Sequence, residues 1–411
     1  MKAVRYLCVW MGLTFGHAWA DCQLAPGEMA RVDDWSVPAN LFETLYERYH
    51  AEGSYEGSPD AFLQELIDNH LIARAEQQKL GDQAFPHRDS GVGFTTRANL
   101  SRQRTGLITG LYAQQLDAWM REHFPDGITS VMHFGLPDNW SARLRAEKPL
   151  LDAGLSPETE RWASSVEVAR LALQGRAFSL SLFDVWDTLN IQGRMVLLEG
   201  DRALVENFAT RWALEVVTDD WASRHLPGRE YVFLRDLVND RYLAQRFRQR
   251  MGFHLGLHDD NPALSEAARQ VSDKDIRAWY DKHADEFDVV EQVEAQWIHA
   301  DQPEEAENPD QLPADQIRTG WLSRKDGWLA TFAFTQQPGQ WSKATRDPAG
   351  GWIRIRVLKR ETRRLPPDSE TVRYAASQAL AWERLRQAHD QKLDALRAAA
   401  RICKADPGAH T

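Results

Sequence analysis

Cysteine is scarce in this chain of 411 residues: Cys8, Cys22 and Cys403 are the only three. No C-x-x-C, Walker loop, G-x-S-x-G or H-E-x-x-H occurs. The common signatures of dithiol redox chemistry, nucleotide hydrolysis, α/β-hydrolase chemistry and zinc proteolysis are therefore missing. Positive charge is also short, with 49 Lys and Arg against 60 Asp and Glu and a net charge of −11. Such a balance disfavours nucleic acid as a partner, because phosphate recognition depends on Lys and Arg. Beyond the first twenty residues no apolar run approaches the ~18 residues of a bilayer span, so no integral membrane segment is expected.

Tryptophan, by contrast, is abundant at 16 residues. Each supplies large apolar area with one polar handle, which suits both core packing and the binding of apolar peptides. The chain opens MKAVRYLCVWMGLTFGHAWA. Lys2 and Arg5 precede an apolar stretch from Leu7 to Phe15, and Ala18-Trp19-Ala20 is an A-x-A cleavage site. This is the pattern of a secretory signal peptide over residues 1–20, cleaved after Ala20. Asp21 stands where a lipoprotein would need a small residue before Cys22. The expectation is a periplasmic or secreted protein. Its two remaining cysteines, Cys22 and Cys403, would form one disulfide across nearly the whole chain, unless both stay free thiols.

Residues 36 to 255 read as helices. Ser58-Pro59 opens one as N-cap and first-turn proline, with Phe62, Leu66, Ile67, Leu71 and Ala75 as its apolar stripe and Gly81 as its stop. Others are expected over 95–123, from Ser156-Pro157 to Gly175, and over 201–225 and 229–251, giving an all-α lobe. His254 and His258 share i,i+4 spacing, but two imidazoles fall short of a closed metal site, so no metal or other cofactor is expected.

After Ser272, an N-cap with Asp275 in the capping-box position, the period changes to two. Val293, Ala295, Trp297 and His299 would share one face of a strand, and GWIRIRVLKRE (351–361) alternates as a second. Between them, residues 301–316 are acidic and proline-rich, hence an exposed loop. The basic run from Arg354 to Arg364 reads as a solvated strand edge, or as a partner for that loop or for acidic lipid. One long helix runs from Ser369 to about Ile402. The fold class is thus mainly α with a small α+β domain and a long C-terminal helix.

Several stretches are more specific than periodicity. VSDKDIRAWYDKHADEF (271–287), EQVEAQWIHA (291–300), Thr319-Gly320-Trp321-Leu322 as a turn, FAFTQQPGQWS (332–342) and Gly351–Leu358 occur in the order of a parvulin domain. LQELIDNHLIARAEQQKLG (63–81) is similar to the helix of a SurA-type N-terminal domain. The chain resembles the SurA/PrsA-like foldases, extracytoplasmic chaperones that carry parvulin-type (PpiC-like) peptidyl-prolyl isomerase domains. The resemblance implies a helical N-terminal lobe over 21–270 and a reduced parvulin-like domain over 271–362. The disulfide would further require the C-terminal helix, 363–411, to pack back on that lobe.

In active members each of two strands usually gives one histidine to a hydrogen-bonded core. Those positions fall here at Trp297 and Ile353, while His299 lies two residues further along the same face. The Met and Phe walling the family's proline pocket fall near Lys325 and Leu329, and the Cys or Asp after the first strand has no counterpart. Prolyl isomerisation crosses a barrier of ~18–20 kcal/mol by bond rotation and depends on a dry, hydrogen-bonding pocket. With those groups replaced, no confident catalytic residue is left.

The reading is an exported chaperone or foldase-like protein binding unfolded or nascent exported polypeptides, with Trp297, Trp321, Leu329 and Phe334 as peptide contacts. Ordinary core packing is the competing role for each. The alternatives are an active isomerase using His299 and a dedicated envelope-assembly accessory factor. Oligomeric state is left open.

Overall fold

The computed structural model describes residues 23–90, 92–146, 154–253, 260–306, 309 and 313–405. Residues 1–20, expected as a signal peptide, and Cys22, His254 and His258 lie outside the described residues. The chain divides into two compact units, Met1–His254 with His389–Thr411, and Leu255–Ala388.

The first unit begins with a hairpin, β1 (Glu28–Val32) and β2 (Trp35–Pro38), followed by α1 (Ala39–Ala51) and α2 (Pro59–Leu80). It continues through α3 (Thr96–Leu111), α4 (Ala113–His123), β3 (Met132–Phe134), α5 (Trp140–Ala146) and α6 (Pro157–Ser165). Then come β4 (Glu167–Leu173), β5 (Arg176–Ser181), α7 (Leu182–Thr188), α8 (Ile191–Glu199), α9 (Arg202–His225) and α10 (Gly228–Arg250). In the second unit α11 (Pro262–Arg269) and α12 (Asp273–His283) precede β6 (Asp288–Ala300), β7 (Arg318–Ser323), α13 (Gly327–Thr335), β8 (Thr345–Arg346) and β9 (Trp352–Arg364). Helix α14 (Glu370–Ala399) carries residues of both units, and β10 (Ile402–Lys404) ends the described chain. The fold is mainly α, with three small antiparallel sheets and a long C-terminal helix.

Helix starts follow the capping chemistry. Ser58 Oγ accepts the Ala61 N–H, Asp201 Oδ1 that of Leu204, and Ser272 with Asp275 completes a reciprocal capping box. Phe62, Leu63 and Ile67 of α2 share one buried cluster with Phe233, Leu234 and Leu237 of α10. Arg248 Nη2 donates to Asn69 Oδ1 across the same helix pair, at 2.6 Å.

Four expectations change, the first being the helix expected from Ser369 to about Ile402: α14 stops at Ala399 and Ile402–Lys404 forms strand β10. Helix α6 ends at Ser165, and residues expected to prolong it form the β4–β5 hairpin instead. Gln174 and Gly175 both take positive φ, 48° and 78°, as a two-residue turn matched to strand twist requires. ARLAL is rich in good helix formers, but burial of Val168, Leu171 and Leu173 on sheet pairing outweighs that preference. The lobe is consequently not all-α. The helix expected over 95–123 is broken at Tyr112 (φ −121°, ψ 27°), two residues after the poor helix former Gly110. Thr319–Leu322, expected as a turn, belongs to strand β7.

The end of the chain returns to its beginning. β10 pairs antiparallel with β1, placing Cys403 opposite Arg31, in a sheet ordered β10-β1-β2. Asp33 and Arg401 exchange hydrogen bonds beside it, Asp33 N–H to Arg401 O and Arg401 N–H to Asp33 Oδ1.

Candidate functional site

In the second unit the strands are ordered β7-β6-β9-β8, so β6 is central. From Ala295 to Ala300 it runs against β9 without a register shift. Ala295 opposes Val357, Trp297 opposes Ile355, and His299 opposes Ile353. Residues directly opposed in an antiparallel pair share a face. On that face Val293, Ala295, Ile355 and Val357 are buried with Ala330 and Ala333 of α13.

The Trp297 indole packs against this cluster, with Leu329 and Phe334 beside it. Its ring passes over Gly320 of β7, 3.5 Å from where a Cβ there would stand. Ile353 is fully buried. The two positions where the resemblance places histidines are therefore filled by packed hydrocarbon and indole. Among Ala295, Trp297, His299, Ile353, Ile355 and Val357, only the indole N–H and the imidazole are polar.

His299 lies beyond the packed cluster, its side chain 40% exposed and its Nδ1 3.5 Å from Asp347 Oδ2. That separation is long for a hydrogen bond and leaves the ring in contact with water. Gly351 fixes the placement. Its φ is +76°, and a Cβ would stand 2.8 Å from the Ala300 carbonyl oxygen, so only glycine lets β9 begin against the end of β6.

Trp321 is not part of this cluster. It opposes Glu294, whose other neighbour is Lys359, on the sheet face away from α13. It is 42% exposed, with Lys359 Nζ 5.6 Å from its ring centroid. The four expected peptide contacts thus divide: Trp297, Leu329 and Phe334 on one face, Trp321 on the other. Lys325, expected near the pocket wall, is exposed in the turn before α13. That turn is held by Asp326, whose carboxyl is lowered first by the Ser323 backbone N–H and then by the Ser323 hydroxyl.

Most of the basic run on β9 is engaged within the sheet. Arg354 donates to Ser342 O, Arg356 to Gln296 Oε1, and Arg360 to the carbonyls of Phe334 and Gln336. Arg363 pairs with Glu291 and Arg364 with Asp288.

A second set of side chains, all in the first unit, was not anticipated. Tyr112, Trp119, Glu122, Trp221, His225 and Glu230 line a cavity of about 540 Å³. Burial, then the adjoining Glu230 carboxylate, raises the Tyr112 phenol far above its usual range. The sequence does carry a signal for part of this set, the spacing W-x-x-x-H at 119–123, 221–225 and 279–283. In each case the histidine is the last residue of its helix and stacks on the tryptophan four residues earlier. Its Nδ1 lies 2.7–2.9 Å from that tryptophan's carbonyl oxygen. Among the described residues no group of three or more His, Cys, Asp or Glu is placed to hold a metal, and no helix is long and apolar enough to cross a membrane.

No family model matches the sequence, and no curated protein matches it. Among solved structures, one described as belonging to the structurally related SurA-like chaperones PEB4 and Cj1289 of Campylobacter jejuni matches at 14% identity. The match covers 56% of this chain and 97% of that one, with a TM-score of 0.25. PrsA from Bacillus subtilis matches at 13% identity over 54% of this chain and 83% of its own, with a TM-score of 0.14. PrsA from Bacillus cereus matches at 15% identity over 56% and 91%, with a TM-score of 0.15. At these TM-scores the likeness carries no argument about fold or activity.

Proposed function

We propose that this is an exported chaperone or foldase-like protein that binds unfolded polypeptides, with a parvulin-like sheet domain that holds rather than isomerises. The observation that carries the reading is the filling of the α13-side face. Trp297 and Ile353 stand where a polar pair would be needed; the indole packs against the apolar cluster and Ile353 is fully buried. Rotation about an X-Pro bond is accelerated by placed hydrogen bonds in a dry pocket, and each tenfold gain takes about 1.4 kcal/mol of differential binding. A face offering one indole N–H and one solvated imidazole has little with which to supply it.

Binding needs less. Strand β7 lies at the sheet edge and carries the exposed Trp321, an arrangement in which an extended segment can add main-chain hydrogen bonds and rest on an aromatic ring. The helical lobe over 21–270 would hold the rest of the client, with the domain over 271–362 as a second contact and the C-terminal helix closing the lobe. Export would follow cleavage after Ala20. A Cys22–Cys403 disulfide would lock the returning β10.

Two assays on the chain from residue 21 test this. Cis/trans isomerisation of a short X-Pro peptide should proceed at its uncatalysed rate, while aggregation of two unrelated unfolded clients should be suppressed. A clear acceleration abolished by His299→Ala would overturn the silent-domain reading in favour of an isomerase. Protection of neither client would favour a dedicated accessory factor with one folded partner.

A further inference from the structure

The cavity in the first unit gathers aromatic rings and two carboxyl groups. Helix α4 contributes Trp119 and Glu122, α9 contributes Trp221 and His225, α10 contributes Glu230, and the break between α3 and α4 contributes Tyr112. No lysine or arginine lines it. Glu230 is only 7% exposed, yet its partners are neutral: Asn40 Nδ2 donates to Oε1 at 3.0 Å and the Tyr112 hydroxyl to Oε2 at 3.1 Å. Among the described residues no Arg or Lys nitrogen forms an ion pair with it. A buried carboxylate without a cation is costly, and proteins ordinarily pair such charges.

The other polar group points the same way. His225 Nδ1 is 2.8 Å from the Trp221 carbonyl oxygen, which can only accept, so that nitrogen carries the ring hydrogen. With Nδ1 so occupied, Nε2 is the nitrogen that can accept a hydrogen bond in the uncharged tautomer. Two carboxylates and an acceptor nitrogen complement a ligand that only donates. The indoles of Trp119 and Trp221 and the Tyr112 phenol surround them with aromatic surface, which attracts cations and accepts a stacked guanidinium. Leu226 and Pro227 add apolar wall suited to an alkyl stem.

We propose that this cavity is a subsite for an arginine or lysine side chain of a bound polypeptide. The inference rests on the polypeptide-binding reading and names the clients it favours, segments carrying a basic residue. The net charge of −11 would draw such segments in.

The test uses the chain from residue 21 and two extended peptides that differ only at one central position, arginine in one and the isosteric, neutral citrulline in the other. Titration calorimetry should show the arginine peptide binding about tenfold more tightly. The gap should shrink several-fold in Glu230→Gln and in Glu122→Gln. Glu122 is exposed at the rim, so its variant removes charge without disturbing the buried hydrogen bonds. Equal affinity for both peptides, or a gap unchanged in both variants, would overturn the cation subsite and leave the polypeptide-binding reading standing. Binding of neither peptide would overturn both. Full affinity for arginine amide alone, with nothing gained from flanking residues, would overturn a polypeptide as the occupant.

Discussion

Arg397 grips Asp68 through two nitrogens, Nε at 2.9 Å from Oδ1 and Nη2 at 2.7 Å from Oδ2, although 329 residues separate them. Asp68 is nearly buried on α2, and Arg397 stands in the last turn of α14. The fork geometry makes this a charge-assisted, two-point clamp on the returning end of the chain.

Removing one partner of such a clamp leaves the other charge underground. Arg397→Ala is expected to lower stability by about 2–3 kcal/mol, the cost of an uncompensated, partly buried carboxylate. Arg397→Lys should recover only part of it, because an ammonium cannot make both bonds at once. Denaturant melts of the three proteins check this.

Stability should also depend on pH through Asp33. Its carboxyl is held below the usual range, first by the Arg401 backbone N–H and then by the side chain of Arg74. A depressed carboxyl stabilises the fold above its unfolded pKa, and that contribution disappears as pH falls through the folded value. Asp33→Asn should therefore lower the melting temperature at about pH 7, with the difference closing toward about pH 3. Thermal melts across that range would show it; a constant offset would mean that charge is not the cause.

Trp297 and His299 should separate packing from chemistry. Trp297→Ala removes an indole that covers Gly320 and adjoins the α13 cluster, and should cost about 3 kcal/mol. His299→Ala should stay within about 0.5 kcal/mol of the parent. Neither should change the rate of prolyl isomerisation. Unfolding curves and the X-Pro peptide assay read both effects.

If Cys22 and Cys403 are bonded as proposed, reduction should destabilise the protein by about 2–5 kcal/mol. Cys403→Ser should match it. Thiol titration of the denatured, unreduced chain should find no free thiol after signal removal; two thiols would refute the bond.

Much of this architecture is legible in the sequence where local and tertiary preferences agree. Ser58-Pro59 and Ser272-Asp275 start helices because a side-chain oxygen meets orphan backbone donors, whatever surrounds them. The β6 face was readable because period two continues from Val293 to His299. The reading failed at 167–175, where helix-forming residues were recruited to a sheet by partners that periodicity cannot see. It failed again at Trp321, whose face follows from the strand pairing of β7, not from its own neighbours. The cavity around Glu230 was not legible as a whole, because its walls come from α4, α9, α10 and the break at Tyr112. Only the Trp/His pairs ending α4 and α9 mark it in one dimension.

The pairing of β1 with β10 bears on the order in which the protein can be made. Residues 28–32 emerge from the ribosome early, and the strand that completes their sheet is among the last described residues to follow. A protein with such a seam cannot close its first sheet before residue 404 has been added. Until then β1 presents an unpaired edge, the kind of surface that invites wrong partners. A molecule proposed to shelter unfinished chains is itself, until residue 404 has been added, an unfinished chain with an open edge.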